Sequence, residues 1–241
     1  SASGRTIMTT EPKFIPNEAV EITLDNNISL KTRLVDCVGY LVDNAIGYLE
    51  DDMPRMVKTP WSKEEIPFTA AAEIGTRKVI ADHSTIGIVI TCDGSFGEIP
   101  AENYIPSQER TIKELKKLNK PFIVLLNTIR PYSEEADMIA KDIAEKYDVS
   151  VIPVNCEQLK KEDIHHILEN ILYEFPLTMM EFYMPKWVEM LPSDHRMKSD
   201  IVEQVKSLMN NYHCVRDIRE HPISIQSKYI KKCKTDSVNM A

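Results

Sequence analysis

Glycine is scarce: the 241 residues hold seven, Gly4, Gly39, Gly47, Gly75, Gly87, Gly94 and Gly97. No two of them complete G-x-x-x-x-G-K-[ST], G-x-G-x-x-G or G-x-S-x-G, so the common backbone cradles for phosphate and the nucleophile elbow are excluded. Any nucleotide chemistry has to be completed by residues outside this sequence. The five cysteines, Cys37, Cys92, Cys156, Cys214 and Cys233, form no C-x-x-C. That excludes a zinc knuckle, offers no disulfide framework and fits a reducing, cytosolic setting. Positive charge is short as well, 29 Lys and Arg against 37 Asp and Glu for a net charge of −8, which argues against a phosphate-neutralising groove and a nucleic-acid partner. No apolar run approaches the roughly 20 residues of a membrane span, and no basic-then-apolar signal opens the chain. The first residue is Ser1 rather than Met, as in a fragment or a processed form.

What is present reads as α/β. Ala19 to Leu24 and Ile28 to Val35 alternate around the turn cluster Asp25-Asn26-Asn27, predicting an antiparallel hairpin. Helices are then expected at about 68–83, 107–119, 133–147 and 160–173, interleaved with buried strands at 86–91, 122–126 and 149–154. Short apolar strands between amphipathic helices predict a parallel sheet with helices on both faces. The segment from Tyr40 to Pro67 has little periodicity and reads as a long loop or insertion carrying the acidic run Glu50-Asp51-Asp52. Phe175-Pro176 closes the alternation; a further strand within 177–188 and a single helix over 200–219 are expected beyond it.

Asp36-Cys37-Val38-Gly39 is a strand-end D-x-x-G. In P-loop NTPases such an acid holds the magnesium shell, usually through water, while the glycine amide meets the γ-phosphate. Taken alone, it fits equally a strand-end Asp before a turn glycine. Thr6, Thr9 and Thr10 precede the hairpin, as the switch threonine precedes the antiparallel strand of a Ras-like GTPase, its hydroxyl on Mg²⁺ and its amide on the γ-phosphate. Individually they fit a polar leader too. The strand at 122–126 runs into Asn127-Thr128-Ile129-Arg130, where a GTPase carries N-K-x-D. Arg130 accepts no hydrogen bond, so guanine selection is lost and ATP becomes at least as good a candidate.

Thr6 to Phe14, Arg33 to Tyr40, Pro54-Arg55-Met56, Thr59-Pro60-Trp61, Ala72 to Ile80, His83 to Gly87, Arg130-Pro131-Tyr132 and Tyr173 to Pro176 resemble the stage IV sporulation protein A family, over nearly the whole chain. The resemblance implies a Ras-like (TRAFAC-type) P-loop NTPase sheet with helices on both faces, here without its first strand and P-loop. It implies a partial ATPase domain over 1–175 and the truncated start of a middle domain over 176–241. The implied activity is hydrolysis of ATP, with Mg²⁺, to drive self-assembly of the spore coat basement layer around the forespore. Asp36 matches the Walker B acid, with Thr9 and Thr10 the paired threonines that sense the γ-phosphate; Thr9 and Asp36 are the metal candidates, and Gly39 and Asn127 complete the nucleotide site. Implied partners are further copies of itself, spore coat proteins and a small membrane-bound anchor peptide, in the mother-cell cytoplasm at the outer forespore surface. The competing expectation is a catalytically inactive scaffold that acts through its surfaces.

In Ras-like topology the missing strand lies between the strand ending at Asp36 and the strand at 86–91. Its removal would expose two apolar edges, so this sequence by itself is expected to fold poorly and bind ATP weakly. The remaining candidates have plainer readings. Cys37, Cys92 and Cys156 fall past strand ends and read as buried thiols, with a metal rim as the alternative. His165-His166 reads as a surface pair; Lys113, Lys116, Lys117 and Lys120 as a solvated helix face; Glu50 to Asp52 as a solvated loop. Trp61 and Trp187 read as packing residues, or as contact surface for self-assembly.

Overall fold

Alternating apolar residues commit the N-terminal half to strands. The computed structural model describes residues 13–23, 29–60 and 62–230. β1 (Lys13–Thr23) pairs antiparallel with β2 (Ser29–Asp36), from Thr23 opposite Ser29 to Lys13 opposite Asp36. The register slips between Ile15 and Val20, a stretch containing Pro16, which has no N–H to give the ladder. Thr9, Thr10 and Trp61 lie outside the described residues.

The aperiodic segment holds two small ladders. β3 (Leu49–Glu50) pairs with β4 (Met53–Pro54), and β5 (Met56–Val57) with β6 (Ile66–Pro67). Asp51 and Asp52 both adopt positive φ, 50° and 60°, as a two-residue hairpin turn demands, and are exposed. The acidic run is therefore a solvated turn.

α1 (Phe68–Lys78) buries Phe68, Ala71, Ala72, Gly75 and Thr76, a helical stripe, and widens into a π-turn over Val79–His83. β7 (Gly87–Cys92) follows, then a short 3-10 turn and α2 (Ile105–Lys117), which starts beside Pro106 and ends on Lys116 and Lys117. β8 is Phe122–Asn127. α3 (Glu134–Tyr147) is capped by Ser133, whose hydroxyl accepts from the Ala136 amide at 3.1 Å, with Glu134, Glu135 and Asp137 in its first turn. β9 (Val151–Val154) and α4 (Lys161–Tyr173) complete the series.

β7, β8 and β9 form a parallel sheet in that order. β8 is its centre: Phe122 to Leu126 are all buried, so both faces of the strand are covered. One core joins Val89, Phe122 and Val124 to Ile80, Ile112, Leu115 and Val149. This is an α/β arrangement consistent with an NTPase fold. The hairpin is not hydrogen-bonded to the sheet among the described residues. Ile90, on the sheet-edge strand β7, is 62 % exposed.

The chain divides into two compact units between Ile171 and Leu172. In the second, two expectations fail. No strand forms over 177–188: the stretch carries no ladder, leads into α5 (Lys186–Glu189), and leaves Trp187 58 % exposed rather than packed. The single helix over 200–219 is two, α6 (Arg196–Asn211) and α7 (Val215–Glu220). The Asp217 carboxylate accepts from the amides of His213 and Cys214, so a local cap competes with helix continuation and wins.

Candidate functional site

A parallel sheet gathers its loops at the carboxyl ends of its strands, the edge where such folds bind ligands. Asp36 is the last residue of β2, with its carboxylate facing solvent. Gly39 follows at φ +80°, a left-handed conformation that a side chain resists, and nothing lies within 4 Å of where a Cβ would stand. An exposed acid and, three residues on, a backbone with open space beside it fit the shell of a metal-bound phosphate. Cys37 between them is partly buried, and that burial pushes its thiol up.

Tyr40, the next residue, is only 7 % exposed. Its hydroxyl donates to Glu114 on α2, and Arg110 lies over its ring, 4.2 Å from the centroid. Arg77 of α1 donates from Nε to the same Glu114 at 3.0 Å, and Arg110 meets Glu73 in a two-pronged pair at 2.6 and 2.7 Å. Hydrogen bonding from Arg110 holds the Glu73 carboxyl below its usual range; burial pushes Glu114 up. A groove of about 780 Å³ lies between α1 and α2, but these ion pairs line it, away from the strand ends. Sequence periodicity did not single out Tyr40, Arg110 or Glu114.

The ends of the three parallel strands interlock. Asp93, after β7, accepts from the amide and hydroxyl of Ser95, and the Ser95 oxygen accepts from the Ile129 amide at 3.0 Å. Burial would raise Asp93, but bonds from Ser95 and Thr128 outweigh it and hold the carboxyl below its ordinary value. Asn127 ends β8, and its Oδ1 accepts from the Cys156 amide at 2.9 Å, tying β8 to the loop after β9. The Asp-Gly-Ser turn after a buried strand is the signal by which Asp93 and Ser95 were findable.

Of the predicted site residues, Asp36 and Gly39 share one loop, while Asn127 belongs to the sheet, which is not laddered to the hairpin. Arg130 is exposed in the loop after β8. The thiols do not assemble into a metal site: among the described residues there is no group of three metal-ligating side chains. Burial is the first cause raising Cys156, with Cys92 adding to it. His166 is exposed and His165 half-buried on α4. The lysine face is only partly solvated: Lys116 donates to the Tyr147 carbonyl, and Lys120, past the end of α2, to that of Ser84 at 2.7 Å. No helix among the described residues is long and apolar enough to cross a membrane.

Residues 1–176 match the family described as "Stage IV sporulation protein A, ATPase domain", and residues 177–241 the one described as "Stage IV sporulation protein A, middle domain". Proteins called stage IV sporulation protein A from Clostridioides difficile (strain 630), Bacillus anthracis and Bacillus subtilis (strain 168) are 50 %, 47 % and 46 % identical to it over 218 residues. Each alignment covers 90 % of this chain and 44 % of the relative, so the chain spans less than half the length of these proteins. No solved structure matches it.

Proposed function

The chain belongs to the stage IV sporulation protein A family, and on that premise we propose that the protein carrying it hydrolyses ATP to drive its own polymerisation into the basement layer of the spore coat. One observation carries the reading most: within a segment that matches an ATPase domain, a strand ends on a solvent-facing carboxylate, Asp36, and a left-handed glycine with free space beside it follows three residues later. In this reading the domain is Ras-like (TRAFAC-type), with residues 1–175 its larger part and 176–241 the start of the middle domain.

Asp36 holds the water shell of a magnesium ion, and the Gly39 amide donates to the γ-phosphate. Thr9 supplies a hydroxyl to the metal, and Thr9 or Thr10 senses the same phosphate. Asn127 borders the base, where Arg130 offers no acceptor to a guanine. Bound Mg²⁺ supplies charge neutralisation at the phosphate oxygens; the chain's own work is positioning. The family resemblance supports a place on the outer forespore surface in the mother-cell cytoplasm, with coat proteins and a small membrane-bound anchor peptide as partners.

The test uses the protein expressed from its complete reading frame. A Thr9→Ala, Thr10→Ala double variant is expected to bind ATP within about threefold of wild type while losing hydrolysis and sedimentable polymer, and Asp36→Asn to lose about 100-fold or more in turnover. Wild-type turnover in Asp36→Asn overturns the site. A wild-type protein that assembles without hydrolysing ATP overturns the enzyme reading in favour of a scaffold.

A further inference from the structure

A glycine next to a phosphate is useful only if its backbone is held, and Gly39 has no side chain to anchor it, with nothing within 4 Å of where a Cβ would stand. The restraint comes from the following residue. Tyr40 is turned away from the strand-end rim, buried beneath the Arg110 guanidinium, with its hydroxyl on Glu114. Packing alone would be served by phenylalanine; the hydroxyl is the part that needs explanation. Its acceptor is shared: Glu114 also takes the Arg77 Nε hydrogen bond from α1, and Arg110, above the ring, is paired with Glu73 on α1. The phenol thus joins the loop after Asp36 to α2, and through Glu114 and Arg110 to α1.

We propose that Tyr40 is a positioning residue for Gly39, its bond to Glu114 limiting the swing of the glycine backbone and passing movement of that loop to α1 and α2. The inference rests on Asp36 and Gly39 being the γ-phosphate motif. Tyr40 touches no reacting group. Its loss leaves ground-state binding of nucleotide nearly intact and loosens the geometry that matters in the transition state.

The test compares Tyr40→Phe, Glu114→Ala, their double variant and Gly39→Ala in the protein expressed from its complete reading frame. Tyr40→Phe is expected to lower kcat about tenfold, to leave the Kd of a non-hydrolysable ATP analogue within about twofold, and to speed amide exchange of residues 37–42 without nucleotide while β8 stays protected. The double variant is expected to be no worse than Glu114→Ala alone, because that change already removes the acceptor of Tyr40 along with that of Arg77. Wild-type turnover in Tyr40→Phe, additive losses in the double variant, or faster exchange of β8 as well as the loop would overturn the proposal. If Tyr40→Phe does not fold, Glu114→Ala removes the acceptor at the other end of the bond, and normal kcat there overturns it equally. Normal turnover in Gly39→Ala sinks the phosphate-motif reading itself; a dead Gly39→Ala beside a normal Tyr40→Phe sinks only the role of Tyr40.

Discussion

Gly94 and Gly39 hold nearly the same positive φ, +83° and +80°, but the space around them differs. A Cβ on Gly94 would stand 2.8 Å from the Ala101 amide nitrogen, a backbone atom that cannot swing away. Gly94→Ala is therefore expected to cost both the left-handed strain and a displaced backbone, about 2–3 kcal/mol, seen as a lower urea midpoint at unchanged m-value. Gly39→Ala meets no atom, so its stability cost is the conformational strain alone, about 1 kcal/mol. The residue scale is also where sequence reading reaches furthest and stops most abruptly. Asp36 and Gly39 stand out because three intervals along the chain suffice to define them. Tyr40 does not, because its partner lies 74 positions away and only folding brings the two together.

Helices α2 and α3 share one carboxylate, beside the bond from Lys116 to the Tyr147 carbonyl. Glu109 pairs with Lys113 at 3.2 Å on its own helix and with Lys146 of α3 at 2.8 Å, and it accepts from the Tyr147 hydroxyl at 2.9 Å. Hydrogen bonding from Lys146, then Tyr147 and Lys113, lowers its pKa from the ordinary 4.5 to about 2. A depressed carboxylate stabilises the fold above its unfolded pKa and loses that contribution as pH falls through the folded one. The Tm difference between wild type and Glu109→Gln is accordingly expected to be constant above about pH 5 and to shrink towards zero near pH 2. A difference that grows on acidification contradicts the pairing. Elements of this kind were legible because helical stripes and strand alternation are local. The stretch at 177–188 was not: its apolar residues suit a strand, but a strand also needs a partner, and none of the described residues provides a ladder. The break between α6 and α7 was hidden for a different reason, since apolar spacing persists across it and the deciding contact is the Asp217 carboxylate on two amides.

At the scale of the molecule, the parallel sheet has only three strands among the described residues. β7 is an edge strand carrying Ile90 at 62 % exposure, and the N-terminal hairpin leaves Ile15 and Leu34 more than half exposed without laddering to the sheet. Chains of these 241 residues are expected to self-associate through that edge at tens of micromolar, and Ile90→Lys to lower their light scattering at least about threefold, because a charge on an edge opposes strand pairing. Equal scattering from both would place the association elsewhere. Three partly buried thiols lend themselves to a different use. Cys37 beside the hairpin end, Cys156 above the sheet and Cys214 in the second unit are all raised by burial from the ordinary 9.0. Each is a protonated, poorly nucleophilic sulfur near neutrality and only partly accessible, so alkylation speeds up when its surroundings open. Their labelling rates would then time the breathing of three separate regions, a clock that the native chain carries without any engineered reporter.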